Sequence, residues 1–265
     1  MKVIKLSSPA TKEFWEIPVL FEDEHLLALD KPAGLLSSPE GDNTGLPNLM
    51  KLLHAAIADK KPWTVERNLT YLSNAHRLDV DTSGVILLAK NKPAFLALAD
   101  LFGTEKPVRQ YIALTHGSPP ENSFSINAKI GPHLAKPGQM RVDPHNGKQA
   151  QTKVEVMERF QRQTLLRCLP LTDRTHQIRV HLCNVGLRIV GDELYGGKPL
   201  WLSNLKKDYR LKPGREERAL LARVTIHAEQ LALQHPVTGE TITITAEWPK
   251  DLKVAVKYLR LYAAA

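Results

Sequence analysis

The apolar residues of this chain come in short runs closed by turn signals or charge, and that pattern does most to limit what it can fold into. Val85-Ile86-Leu87-Leu88-Ala89 is long enough for a buried strand and far too short to span a bilayer. Leu26-Leu27-Ala28-Leu29-Asp30 is a second such run, ended by the turn signal Lys31-Pro32-Ala33-Gly34. A chain of 265 residues, 43% hydrophobic and 24% charged, carries enough apolar material for a well-buried core and excludes wholesale disorder. The N-terminal residues, Met1 to Pro9, lack the apolar stretch of a secretory signal. Two cysteines, Cys168 and Cys183, are too few for a disulfide scaffold or a four-thiolate zinc site and are expected as reduced, packed thiols. The expectation is a soluble cytoplasmic protein with no membrane partner.

Periodicity places strands over residues 26–30, 85–89 and 108–114, and an antiparallel pair over 153–156 and 165–169. Helices are predicted over 48–60, over 92–102 with Pro93 in the first turn, over 175–185 closed by Gly186, and over 251–261. His235-Pro236-Val237-Thr238-Gly239-Glu240 lies between two strand patterns, 227–233 and 241–247, and predicts a hairpin. Residues 131–147, with three prolines, read as a loop. Strands and helices mix without strict alternation, so the expected class is α/β in the loose, α+β sense. A mixed, mostly antiparallel sheet with helices packed on it would form a single domain over residues 1–265.

Lys and Arg number 36 against 28 Asp and Glu, a net charge of +8 that favours a polyanionic partner, nucleic acid first. Residues 198–218 are dense in cations (Lys206, Lys207, Arg210, Lys212, Arg215 and Arg218) and read as a basic surface insertion.

The segment richest in chemistry is Asn74-Ala75-His76-Arg77-Leu78-Asp79-Val80-Asp81-Thr82-Ser83-Gly84, which runs directly into the Val85 strand. Thr82, Ser83 and Gly84 supply a tight turn that would aim Asp79 from a rigid strand, and such loops are where catalytic groups usually sit. Alone, the pattern is more simply read as Asp79 or Asp81 capping a turn, with Arg77 paired to it at the surface.

The run from His76 to Gly84 resembles the catalytic signature of the RluA-like pseudouridine synthases, which isomerise uridine in ribosomal or transfer RNA. Other segments resemble the family in the same order: Leu29-Asp30-Lys31-Pro32-Ala33-Gly34-Leu35, Arg109-Gln110-Tyr111-Ile112-Ala113-Leu114, and Leu171-Thr172-Asp173-Arg174-Thr175-His176-Gln177-Ile178-Arg179-Val180-His181. Ile189 to Gly196 and the region from His227 to Pro236 also fit. The likeness extends over roughly residues 22–249. Asp173 stands where the family commonly has Gly, and Arg109 where it commonly has Lys.

The resemblance implies a catalytic domain built around a central cleft, without the small N-terminal S4 domain that some members carry. It implies that Asp79, Tyr111 and Arg179 are catalytic. Asp79 would act at the sugar, as nucleophile or as base. Tyr111 would lie against the uracil and take the C5 proton, and Arg179 would keep the carboxylate ionised and aimed. Arg77 would enter the RNA stack to help extrude the base, or pair with a phosphate or Asp81. With it, His76, Thr82, Arg174, His176 and Gln177 would contact the substrate. No metal and no organic cofactor are implied; RNA is the expected partner and a monomer the expected state. If residues 175–185 are helical, Ile178, Leu182 and Val185 form the buried stripe, and His176 and Arg179 share an adjoining face. Two rivals stand beside this reading. One is a metal-dependent hydrolase using His76, Asp79, His176 and His181; the other is a silent RNA-binding module, for which cations and stacking aromatics would suffice.

Overall fold

The structure, a computed structural model, describes residues 2–39, 46–104, 106–211 and 214–265; Lys212 of the basic stretch lies outside them. Along the chain run β1 (Val3–Ser8), β2 (Glu13–Glu22), β3 (Leu26–Lys31), α1 (Leu49–Ala58), α2 (Pro62–Val65), β4 (Ser73–Asn74), β5 (Ser83–Ala89) and α3 (Lys92–Gly103). There follow β6 (Val108–His116), β7 (Ser123–Asn127), β8 (Ile130–Pro132), β9 (Met140–Val142), β10 (Gln151–Arg159), β11 (Gln163–Pro170) and α4 (Gln177–Asn184). The last are β12 (Ile226–Gln234), β13 (Thr241–Thr245) and α5 (Lys250–Tyr262). The class is α/β with a mostly antiparallel sheet, as the strand pattern predicts. No helix of the described residues is long and apolar enough to cross a membrane.

Two compact units divide these residues: 1–109 with 228–247, and 110–227 with 248–265. In the first, strands follow the order β1-β2-β3-β5-β12, with β13 on β12 and β4 on β5. The predicted hairpin is present, with Leu231 opposite Ile244. β3 and β5 pair antiparallel, Leu27 opposite Leu88 and Leu29 opposite Ile86. Both faces of β5 are buried, which is why its sequence is continuous rather than alternating. Leu26, Ala28, Val85 and Leu87 pack with Ala94, Leu98 and Phe102 of α3 and with Leu231 and Ile244 of the hairpin. Each long helix here starts on an asparagine cap: the Asn48 side chain accepts the Lys51 N–H, and that of Asn91 accepts the Ala94 N–H.

In the second unit the order is β6-β11-β10-β7, all antiparallel, with β8 and β9 as a separate pair. α5 lays Leu252, Ala255, Val256 and Leu259 against Ile112, Leu114 and Leu165. α4 covers another cluster with Ile178 and Leu182, which pack with Ala113, Leu166, Cys168 and the partly buried Tyr111. Both cysteines are free thiols, and burial pushes that of Cys168 up to about 12.

Three expectations are corrected. Residues 131–147 are not a plain loop, because β8 and β9 form a small hairpin closed by Asp143, whose Oδ1 accepts the N–H groups of His145 and Asn146. The prolines sit at its ends and turn, where no ladder N–H is missed. The helix expected over 175–185 begins at Gln177, since His176 is left-handed at φ 55°. Val185, placed on the buried stripe, is exposed at the C-cap.

Candidate active site

The loop before β5 is tied down on both sides of Asp79. Ser37 Oγ donates to the Leu78 carbonyl at 2.7 Å and accepts the Leu78 N–H at 3.0 Å. The Val80 carbonyl accepts the Gly34 N–H at 2.8 Å and the Lys31 ammonium at 3.1 Å. Lys31 is 0% exposed, and its Nζ also donates to the carbonyls of Leu35 at 2.6 Å and Pro32 at 2.9 Å. A buried charge is tolerated when several acceptors surround it, and here they splice the 31–37 turn to the Asp79 loop. The Thr82 N–H closes the turn on the Asp79 carbonyl at 3.1 Å. Gly84 then has φ 113°, and a Cβ there would stand 2.2 Å from the Ala228 carbonyl oxygen, so only glycine lets β5 start at this point.

Of the sequence-predicted residues on this loop, Asp79 is half-buried and Arg77 exposed. His76 and Thr82, expected among the substrate contacts, are buried. The His76 Nε2 accepts the Leu87 N–H at 2.9 Å and the ring stacks on Phe102 at 4.5 Å, so this histidine seats the loop on β5. An acceptor Nε2 is the unprotonated nitrogen, which fixes a neutral His76 as the Nδ1–H tautomer.

In the second unit, α4 and the residues before it carry the other candidates. Arg179 meets Asp192 in a two-point pair, with Nε to Oδ2 at 2.8 Å and Nη2 to Oδ1 at 2.7 Å. Its guanidinium also lies over the Tyr195 ring, 5.0 Å from the centroid. His176 reaches the same residue, its Nδ1 2.9 Å from the Tyr195 hydroxyl. His176 lies outside the helix, so it does not share a helix face with Arg179, yet both side chains meet Tyr195. That hydroxyl also accepts the Met140 N–H at 2.9 Å. The loop carrying Asp192 turns at Gly191, φ 76°, where a Cβ would meet the Arg223 carbonyl oxygen at 2.0 Å.

Gln177 is spent on scaffolding. Its Oε1 accepts from Thr172 Oγ1 at 2.8 Å, and its Nε2 donates to the Gln151 carbonyl at 2.9 Å and to Thr152 Oγ1 at 3.0 Å. Arg174 donates to the Gln149 carbonyl at 3.0 Å and to that of Asp173 at 2.8 Å, tying the motif to the segment before β10. Tyr111, opposite Cys168 on β11, packs on the cluster that holds Ile178 and Leu182. His181 is buried between Thr152 Oγ1 at 2.9 Å and the Ala128 carbonyl at 3.0 Å, and desolvation lowers its pKa. Among the described residues no group of three His, Cys, Asp or Glu side chains is arranged to hold a metal.

Four supporting residues escaped the sequence reading: Lys31, Ser37, Asp192 and Tyr195. Three of them, Lys31, Asp192 and Tyr195, lie inside quoted motifs.

Residues 25–184 match the family described as RNA pseudouridylate synthase. The chain belongs to this family. It is 36% identical over 261 residues to the ribosomal large subunit pseudouridine synthase D of Xanthomonas campestris pv. campestris, covering 97% of this chain and 74% of that one. It is 33% identical over 250 residues to the uncharacterized RNA pseudouridine synthase YhcT of Bacillus subtilis, covering 93% and 74%. The structure of human RNA pseudouridylate synthase domain containing 4 superposes with a TM-score of 0.68 at 24% identity, over 91% of this chain and 92% of that one, and speaks for the fold. The protein is therefore an enzyme of the RluA type that isomerises uridine to pseudouridine in RNA.

Proposed function

We propose that this synthase modifies uridines of the large-subunit ribosomal RNA, with Asp79 as the carboxylate that acts at the sugar. The target class is supported by the Xanthomonas relative named above, and the role of Asp79 by the way its loop is fixed. Ties on Leu78 and Val80 hold the backbone on either side of one acidic side chain, which is how a reacting group is pre-oriented.

In the reaction the C1′–N1 bond breaks, the uracil turns, C5 bonds to C1′, and the C5 proton leaves while N1 regains one. Positive character grows at C1′ as the base departs, and a carboxylate stabilises it by proximity or by bonding to C1′, as glycosidase carboxylates do. A carboxylate acting as base on the ribose would start from the same position. Tyr111 takes the C5 proton, and Arg179 supplies positive charge that favours the ionised form of the acid. Arg179 is suited to this by its own anchoring, since the two-point pair with Asp192 fixes its plane. Arg77, exposed beside Asp79, assists extrusion of the base at a cost of a few kcal/mol in lost stacking.

Mapping pseudouridine across ribosomal and transfer RNA tests this directly, in cells lacking the protein and in cells given it back. One or more sites in large-subunit ribosomal RNA should disappear and return with the wild-type chain but not with Asp79→Asn. An unchanged map, or full rescue by Asp79→Asn, would overturn the proposal.

A further inference from the structure

Residues 198–208 do not stand alone at the surface. With the turn joining β10 to β11 and the end of α5 they line an open groove of about 1010 Å³ in the second unit. Four cations, Arg162, Lys198, Lys206 and Lys207, line it against one carboxylate, Asp208. They are carried on a fixed frame. The Arg162 carbonyl accepts the Gly117 N–H at 2.9 Å, the Gln161 N–H donates to the Ala263 carbonyl at 2.9 Å, and His116 Nε2 donates to the Lys198 carbonyl at 2.8 Å. The Lys206 ammonium lies 5.8 Å from the centre of the Tyr262 ring, which itself stacks on Tyr258.

Chemistry narrows the occupant. Small-molecule pockets are mostly apolar, so a groove lined by four cations suits a stretch of polyanion instead. Gln163, 6% exposed, also lines it, and its Oε1 has no hydrogen-bond partner among the described residues. A phosphate cannot satisfy an acceptor, whereas a ribose 2′-hydroxyl can once the amide turns toward it. Cations for the phosphates and an acceptor for the sugar hydroxyl together match RNA.

We infer that this groove binds the sugar–phosphate backbone of RNA outside the target nucleotide. The inference rests on the chain acting on RNA and adds a second place where RNA is held. His116, at the groove, is five residues from Tyr111 on β6, about 17 Å along a strand. RNA gripped there is fixed to the element that carries Tyr111.

The test is binding of a 5′-labelled, 30-nucleotide, uridine-rich single-stranded RNA, followed by fluorescence anisotropy from 50 to 300 mM salt. Arg162→Ala with Lys207→Ala should weaken binding about tenfold at the lowest salt. It should also reduce the slope of log K against log salt by about 1.4, roughly 0.7 for each lost phosphate contact. Lys198→Glu with Lys207→Glu, at two exposed side chains, should weaken it further, and serves alone if the first variant melts early. Isotherms and slopes within twofold of wild type in both variants would overturn the inference, as would displacement of the RNA by poly-glutamate at equal charge. A wild-type protein that forms no pseudouridine in cellular RNA would overturn the enzymatic reading while leaving these isotherms to decide the groove.

Discussion

Arg179 and Asp192 face each other across two hydrogen bonds of 2.8 and 2.7 Å, at 5% and 1% exposure. Removing one partner of such a pair strands a buried charge, at about 3–5 kcal/mol. Asp192→Ala should therefore lower the melting temperature and also slow a single turnover on the order of a hundredfold, because the guanidinium loses its plane. Asp192→Glu, which restores the charge at a shifted position, should recover part of the stability and less of the rate. A variant that melts early yet turns over at the wild-type rate, assayed well below its transition, would show that Asp192 is only structural.

Ser37 and Lys31 grip the two neighbours of Asp79, and their loss should be felt differently. Ser37→Ala leaves both the N–H and the carbonyl of Leu78 without this partner inside the protein, at about 1–3 kcal/mol. In Lys31→Met the Val80 carbonyl keeps the Gly34 N–H, but those of Pro32 and Leu35 lose the ammonium. Each variant should lower the rate at saturating RNA more than the affinity for RNA, since the loop is loosened rather than recharged. Rate and equilibrium binding measured on the same preparations check this; an affinity loss equal to the rate loss would contradict it.

The sequence carried the short buried strands, the capped helices and the C-terminal hairpin, because their signals are local: continuous apolar runs, asparagine caps, a Pro-to-Gly turn. It missed the N-terminal pair β1–β2, whose burial alternates or stays partial, and the β8–β9 hairpin, where prolines outweighed three-residue strands. The loop that carries Asp79 was legible as a motif. Its supports were not, since Ser37 and Leu78 are 41 residues apart and Arg179 and Asp192 are 13 apart, and spacing says nothing about such pairings. His76 and Gln177 illustrate the reverse problem. A polar residue inside a signature looks available for substrate, and only its partners reveal that it is holding the scaffold.

Asp30, on β3 beside Lys31, is the acid whose titration should mark the stability of the fold. Burial, and after it the charge of Glu247, together push its pKa from 3.8 to about 6. The folded chain then holds a proton that the unfolded chain has already released. Stability from this group is therefore greatest below pH 4, falls as pH rises from 4 to 6, and is flat above. The full shift corresponds to a loss on the order of 2–3 kcal/mol at neutral pH. Asp30→Asn removes that loss. Its melting temperature should exceed wild type by several degrees at pH 7.5 and match it at pH 4. Glu247→Gln should give a smaller gain in the same direction. Thermal melts of the three proteins from pH 4 to 8 decide the matter, and a constant offset between wild type and Asp30→Asn across that range would mean the acid ionises without penalty.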